Sequence, residues 1–330
     1  MEKTIVNRYY WADILRIGAI FAVIIQHLSP ALYNTHYTES NILVSITDWC
    51  VPIFVMLSGM FTLAPEKDLP NKKLIHKILH LAVALCFWSI VYGIFYYTIQ
   101  HDGSYTVMSI IGPIVWKRLP WYHLWFLYMI IGLYILTPLL RSWIRSASNN
   151  DIKYFLLLCF LFNTITYINH FIPAQIHHLL PSISAFVGYY VLGYYLSKVT
   201  IKRTSRYILY ALSAISCFFI IFTNQMSGEH PHSYDINSSP LVAIMSMGVF
   251  VGMMNLPISL KCNSKLLAAL SSLTLGIYLV HDIFIHLIRI PYILDFACGT
   301  IILKAVVIYI LSAIVTFLLQ RIPIIGKYIT

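Results

Sequence analysis

The feature that most constrains this chain is the recurrence of apolar runs, each long enough to cross a lipid bilayer as a helix. Bounded by clusters of Pro, Asn, Asp and Lys, they fall near residues 14–34, 44–64, 78–99, 122–140, 152–170, 181–198, 207–224, 239–258, 269–288 and 300–320. About 20 apolar residues match the roughly 30 Å hydrocarbon core of a membrane. Lipid offers the backbone no hydrogen bonds, so each run must satisfy its own amides as a helix. The expectation is an all-α integral membrane protein with about ten transmembrane helices. Of the 330 residues 59% are hydrophobic and 10% charged, against roughly 25% charged in soluble domains. One aqueous core could not hide so much apolar surface, which excludes an ordinary soluble enzyme. A weaker stretch at 105–116, broken by Gly112 and Pro113, is too short to cross and suits an interfacial or re-entrant segment.

The net charge of +10 does not mark a nucleic-acid binder, because the cations sit between apolar runs rather than on one soluble face. They also alternate. Lys3 and Arg8 precede the first run; Lys67, Lys72, Lys73 and Lys77 follow the second; Arg141, Arg145 and Lys153 follow the fourth. Lys198, Lys202, Arg203 and Arg206 come after the sixth, Lys261 and Lys265 after the eighth, and Arg321 and Lys327 after the last, whereas the opposite loops hold Lys117, Arg118 and Arg289. The positive-inside rule then places both termini in the cytoplasm. Trp116, Trp121, Tyr122 and Trp125 crowd the outer start of the fourth run, as an interfacial belt would. The first run carries Asp13, Arg16 and His27 and no small-residue cleavage site, so it is expected to stay as a signal-anchor helix. The six cysteines form no CxxC pair and read as small buried hydrophobes. No linker, charge block or repeat divides the chain, so residues 1–330 read as a single membrane domain without a separate soluble one.

Ionisable residues inside a membrane helix are costly, about 2.5 kcal/mol or more at its centre, and are functional candidates for that reason. Arg16 and His27 stand eleven positions apart, which returns to nearly the same helix face roughly 16 Å further on. Asp13, three residues before Arg16, can form a local ion pair that lowers the cost of both charges. Arg16 falls near the cytoplasmic edge and His27 deeper, towards the outer half. Snorkelling competes evenly with function for Arg16. For His27 a mid-membrane imidazole able to exchange protons near neutral pH favours function over an interhelical bond.

These residues belong to a pattern. Trp11-Ala12-Asp13-Ile14-Leu15-Arg16 through His27 reads as R-x10-H, and Phe54-Val55-Met56-Leu57-Ser58-Gly59 as an FFxxSG-like segment. Tyr122-His123-Leu124-Trp125-Phe126-Leu127 and Leu275-Gly276-Ile277-Tyr278-Leu279-Val280-His281 complete it. In order and spacing the set resembles the membrane acyltransferase-3 family, and within it the enterobacterial common antigen O-acetyltransferase type, over nearly the whole chain. Two positions depart from the family pattern: Val55 replaces the second aromatic, and Asp282 follows His281 where Pro is frequent, which would give His281 a carboxylate neighbour.

The resemblance implies an acyl donor, acetyl-CoA by preference, entering from the cytoplasm as a substrate rather than a resident cofactor. The acceptor would be a hydroxyl of an envelope polysaccharide or its polyprenyl-linked precursor, at the bacterial inner membrane. His27 would be the catalytic histidine, Arg16 would bind or orient the donor, and Ser58 and Gly59 would line a membrane tunnel. Acyl transfer from a thioester needs a base for the hydroxyl proton, a donor for the oxyanion and close alignment of both substrates. Direct attack is favoured over an acyl-imidazole.

Tyr278, His281 and Asp282 with His286 suggest a polar outer mouth on the ninth run, where His281 could orient His27, bind the acceptor or bond another helix. His123 and Trp125 are binding candidates, though the tryptophan more simply anchors the interface. Lys72, Lys73, Lys77, Lys202, Arg203 and Arg206 could meet the donor's phosphates, but as surface cations they more simply set topology and attract anionic lipid. The pair His76 and His80, and His170 with His177 and His178, make weak metal candidates, and no metal is expected. Nucleotide-hydrolase, dinucleotide and zincin motifs are absent. The main rival is a transporter or flippase of lipid-linked saccharides. A haem protein ligated by His27 and His281, or a non-enzymatic module, are weaker ones.

Overall fold

The structure, a computed structural model, describes residues 8–66, 69–100, 121–171, 184–227, 236–257, 264–288, 297–323 and 326–330. They are all-helical, with no strand among the described residues. In chain order the helices are α1 (Tyr10–Leu28), α2 (Tyr37–Ser45), α3 (Cys50–Thr62), α4 (Asn71–Gln100) and α5 (Trp125–Ser146), then α6 (Asn149–Phe171), α7 (Ser184–Lys198) and α8 (Arg203–Ser227). α9 (Pro240–Met254), α10 (Ser264–Ser272), α11 (Thr274–Leu287), α12 (Ala297–Gln320) and the short α13 (Gly326–Ile329) complete the chain.

Among the described residues seven spans are long and apolar enough to cross a membrane: Tyr10–Leu32, Tyr37–Thr62, Asn71–Phe95, Tyr122–Ser146, Asn149–Ile168, Arg203–Ser227 and Ala297–Gln320. The ninth expected run is instead two helices, Lys265–Ser272 and Thr274–Leu287, bent by 54° where they meet, and counts as an eighth if both belong to one crossing. The two other expected runs fall on α7 and α9, of 15 residues each. At about 22 Å such helices are shorter than the hydrocarbon core. The segment 105–116 lies outside the described residues.

Burial separates centre from rim. In the Tyr37–Thr62 span 67% of the apolar window is buried, and in Tyr10–Leu32 50%, whereas the α6 and α8 windows are buried to 17%. The outer faces carry exposed large hydrophobics at helical spacing, such as Leu157, Leu161, Ile165 and Ile168 on α6 and Ile310, Ile314 and Phe317 on α12. Water would not tolerate so continuous an apolar coat, and lipid does. The core therefore forms around α1 and α3.

With no water to expel between apolar helices, close backbone approach drives packing, and small residues permit it. A Cβ on Gly59 of α3 would stand 1.8 Å from the Tyr190 carbonyl oxygen, and one on Gly193 of α7 would stand 2.0 Å from that of Met56. The two glycines therefore let α3 and α7 touch backbone to backbone. Gly248 of α9 instead makes room for the Ser213 side chain of α8, whose hydroxyl donates to the Met245 carbonyl at 3.0 Å.

The bundle has two distinguishable ends. At one, α1 finishes just past His27, α3 starts beside Gln26, and Asn41 of α2 donates to the Ile221 carbonyl near the close of α8 at 2.8 Å. At the other, Arg16 lies over the Phe61 ring at 4.8 Å, Trp11 packs edge-on against Phe250 of α9 at 5.3 Å, and the buried Arg141 donates to the Thr62 carbonyl at 2.7 Å. Asp13 is buried here and receives Arg8 Nε at 2.6 Å and the Ser271 hydroxyl at 2.7 Å, with Arg16 at 3.6 Å. It thereby ties the first turn of α1 to the bend between α10 and α11.

Candidate active site

Two cavities lie along the same stretch of α1. The larger, about 410 Å³, holds His27 with Gln26, Asp48, Tyr122, His123 and Trp125 in its wall. The smaller, about 110 Å³, holds Arg16 with Phe54, Thr274 and Leu275. Val23, Val51, Phe126 and Tyr278 border both. The eleven-residue spacing of Arg16 and His27 thus becomes two chambers that share a four-residue neck.

Around His27 the rings are packed by three helices. His281 of α11 stacks on His27 with centroids 5.4 Å apart and planes at 28°, and Tyr122 meets His27 edge-on at 5.1 Å. His123 then meets His281 at 5.2 Å, Tyr278 at 5.4 Å and Tyr92 of α4 at 4.9 Å. Both His281 and His123 are buried. The Nδ1 of His281 lies 2.7 Å from the Tyr278 carbonyl, which can only accept, so Nδ1 carries the hydrogen and Nε2 is left as an acceptor. That Nε2 and both ring nitrogens of His123 are buried without a hydrogen-bond partner among the described residues. Buried polar atoms are rarely left so, except where a ligand, water or proton completes them.

What holds His123 in place is Asp282. Fully buried, its carboxylate accepts from the indole N–H of Trp121 and the phenol of Tyr122, while the phenol of Tyr278 donates to the His123 carbonyl. The sequence suggested Asp282 as a carboxylate neighbour for His281; the structure turns it to Trp121 and Tyr122, and the His281 Nδ1–H goes to backbone. His286 sits one turn on, its Nδ1 donating to the Asp282 carbonyl at 2.9 Å.

The other expected residues divide. His123, Trp125 and Tyr278 line the larger cavity together with His27, and Arg16 lines the smaller one. Ser58 and Gly59, expected along a tunnel, line neither cavity. Gly59 faces Tyr190, and Ser58 hydrogen-bonds Tyr134, which stands near Arg16. Asp13 is engaged in the Arg8, Arg16 and Ser271 contacts rather than in a cavity wall.

Sequence reasoning missed Gln26, Asp48 and Asn237. Asp48 is buried in the turn between α2 and α3, accepts from Gln26 Nε2 at 2.9 Å and faces the His27 cavity, while the Cys50 thiol donates to Gln26 Oε1 at 3.3 Å. Asp48 lies inside the expected second run, so the cost argument that singled out Arg16 applied to it equally. Asn237 sits in a single turn before α9 and had no such signal.

An acyltransferase domain family model, acyltransferase-3, matches residues 9–321. The chain belongs to this family, and with its apolar spans it is a multi-pass membrane acyltransferase. No curated protein and no solved structure matches it.

Proposed function

We propose that the protein is an O-acyltransferase of the bacterial inner membrane that carries an acetyl group from cytoplasmic acetyl-CoA to a hydroxyl of an envelope polysaccharide or its polyprenyl-linked precursor. In this reading the chain is one membrane domain with about ten crossings, the short α7 and α9 counted among them, and both termini cytoplasmic, and its acceptor type is that of an enterobacterial common antigen O-acetyltransferase. The observation that carries this reading is the pair of chambers on α1, Arg16 in one and His27 in the other, with Val23, Val51, Phe126 and Tyr278 between them. A cation suits the phosphate-bearing donor, and an aromatic-rimmed chamber suits a sugar.

In this reading the acceptor hydroxyl attacks the thioester carbonyl while His27 removes its proton. The tetrahedral oxyanion collapses, the C–S bond breaks, and the thiolate takes the proton back from the His27 imidazolium. Asp48, Gln26 and Asn237 face the same chamber and offer hydroxyl partners for the acceptor.

The test is transfer of isotope-labelled acetyl from acetyl-CoA to envelope glycan in inverted membrane vesicles, comparing wild type with equally expressed His27→Ala. A positioned base contributes about 10²- to 10⁴-fold, and label on glycan with wild type should fall by that factor in the variant. Equal labelling by both proteins removes His27 from the chemistry. No labelling by either, with acceptor present, points to another acyl donor, such as succinyl-CoA, and after that to the transport of lipid-linked saccharides.

A further inference from the structure

A third cavity, of about 480 Å³, opens at the Arg16 end of the bundle between the start of α8 and the close of α9. It shares no wall residue with the chambers on α1. Arg203, Arg206, Tyr207 and Tyr210 recur at three- and four-residue steps on α8, as do Val249, Gly252 and Met253 on α9, so one face of each helix forms the wall.

That wall is cationic and lacks a counter-charge. Arg203 and Arg206, three residues apart on one helix, are surface neighbours, and like charges so placed repel. Neither pairs with a carboxylate among the described residues. Both are nevertheless held in place. Arg203 lies over the Tyr207 ring at 5.6 Å with its Nη2 3.3 Å from that phenol oxygen, and Arg206 Nη1 donates to the Asn255 side-chain oxygen. The Nε of Arg206 is buried with no hydrogen-bond partner among the described residues, a state that a ligand or water ordinarily completes. Gly252 leaves room beside them. Beyond its own helix, a Cβ there would have only the Tyr210 ring within 4 Å, at 3.7 Å.

We propose that this cavity binds a phosphate monoester, its phosphate held between Arg203 and Arg206 and its organic body against Tyr210 and Gly252. A carboxylate offers two oxygens and one charge, enough for one guanidinium fork, whereas a phosphate monoester offers three terminal oxygens and roughly −1.5 to −2 charges, enough for two. The volume of about 480 Å³ falls within the roughly 300–1,000 Å³ of small-molecule sites, room for more than the phosphate itself. A soluble ester and a lipid headgroup can present the same group, and the experiment separates them. The proposal does not rest on acyl transfer.

The test is native mass spectrometry of the full-length protein in detergent, titrated with AMP or phosphatidic acid and with their phosphate-free counterparts, adenosine and diacylglycerol. At least one phosphate bearer is expected to bind about tenfold or more tightly than its counterpart, and the preference should disappear in Arg203→Gln/Arg206→Gln. A preference for AMP alone assigns the site to a soluble ester, and one for phosphatidic acid alone to a lipid headgroup; both together assign it to either source. No preference, or one that survives in the double variant, overturns the proposal. Lys153→Gln/Lys202→Gln removes the same charge from exposed positions outside the cavity and should keep the preference. Its loss there would lay the binding on net surface charge and overturn the site. Gly252→Leu keeps both arginines and fills the cavity, so it is expected to weaken the preferred ligand several-fold; an unchanged affinity would place the phosphate elsewhere. Melting temperatures without ligand verify that each variant is folded.

Discussion

The imidazole of His281 is stacked on that of His27, 5.4 Å between centroids, while its own Nδ1–H is held by the Tyr278 carbonyl at 2.7 Å. The backbone bond fixes the tautomer, so Nε2 presents a lone pair in a buried space beside the proposed base. A hydrogen bond to a charged group contributes about 1.5–3 kcal/mol, which corresponds to roughly 10- to 100-fold in rate. His281→Phe retains a flat ring and removes the acceptor. Its kcat for acyl transfer is expected to fall by that factor while KM for the donor, bound a chamber away, stays within about twofold. A joint fall in kcat and melting temperature, with His281→Gln restoring neither, would assign His281 to packing alone.

Asp282 is the second lever, because one buried carboxylate receives both the indole of Trp121 and the phenol of Tyr122 and so fixes the turn that presents His123. Asp282→Ala removes the acceptor from two donors, at about 1–3 kcal/mol for each buried group left unsatisfied. The variant should melt several degrees lower and lose most acyl transfer. Asp282→Asn keeps one acceptor oxygen and should fall between it and wild type. Equal melting of Asp282→Ala and wild type would show that the turn is held by other contacts.

Gly59 and Gly193 form a reciprocal contact whose cost is steric. A methyl group at 59 would overlap the Tyr190 carbonyl, and one at 193 would overlap that of Met56, in each case backbone rather than a side chain that can rotate away. Gly59→Ala and Gly193→Ala are each expected to destabilise by at least the 1–3 kcal/mol typical of overpacking. The double variant should be less than additive, because separating α3 from α7 once relieves both clashes. Thermal unfolding of purified protein in detergent measures this, and wild-type stability in both single variants would mean that the helices pack further apart.

Much of this arrangement was legible in the sequence, and the reasons differ by residue. The spans at 14–34, 44–64 and 300–320 were readable because hydrophobic length is a local property, and helices occupy all three. Arg16 and His27 stood out because charge within such a run is costly, and helical geometry placed them along one face. The 54° break between α10 and α11 was not readable. Asp13, which accepts from Ser271 beside that break, lies 258 positions away in sequence. Nor was the role of Gly59, whose motif suggested a tunnel wall: only the approach of α7 reveals that the missing side chain makes room for a backbone. Asp282 looked like a partner for the adjacent His281 because sequence shows neighbours, and the bond to Trp121 and Tyr122 closes over about 160 residues.

The neck between the chambers gives the sharpest test of the route from donor to acceptor. Val51, in the first turn of α3, borders both cavities. It is half-buried and packs against the core as well, so Val51→Phe can direct its added bulk into the cavities and is expected to leave melting within a few degrees of wild type. Acetyl transfer should nevertheless fall at least tenfold, and propionyl transfer from propionyl-CoA further, because the longer group meets the narrowed neck first. Val51→Ala widens the same point and should raise the propionyl-to-acetyl rate ratio above that of wild type. Initial rates with the two donors in the three proteins decide the matter. An equal fall for both donors in Val51→Phe, with no change of ratio in Val51→Ala, would mean that the acyl group does not pass this point, and the chambers on α1 would then serve separate ligands.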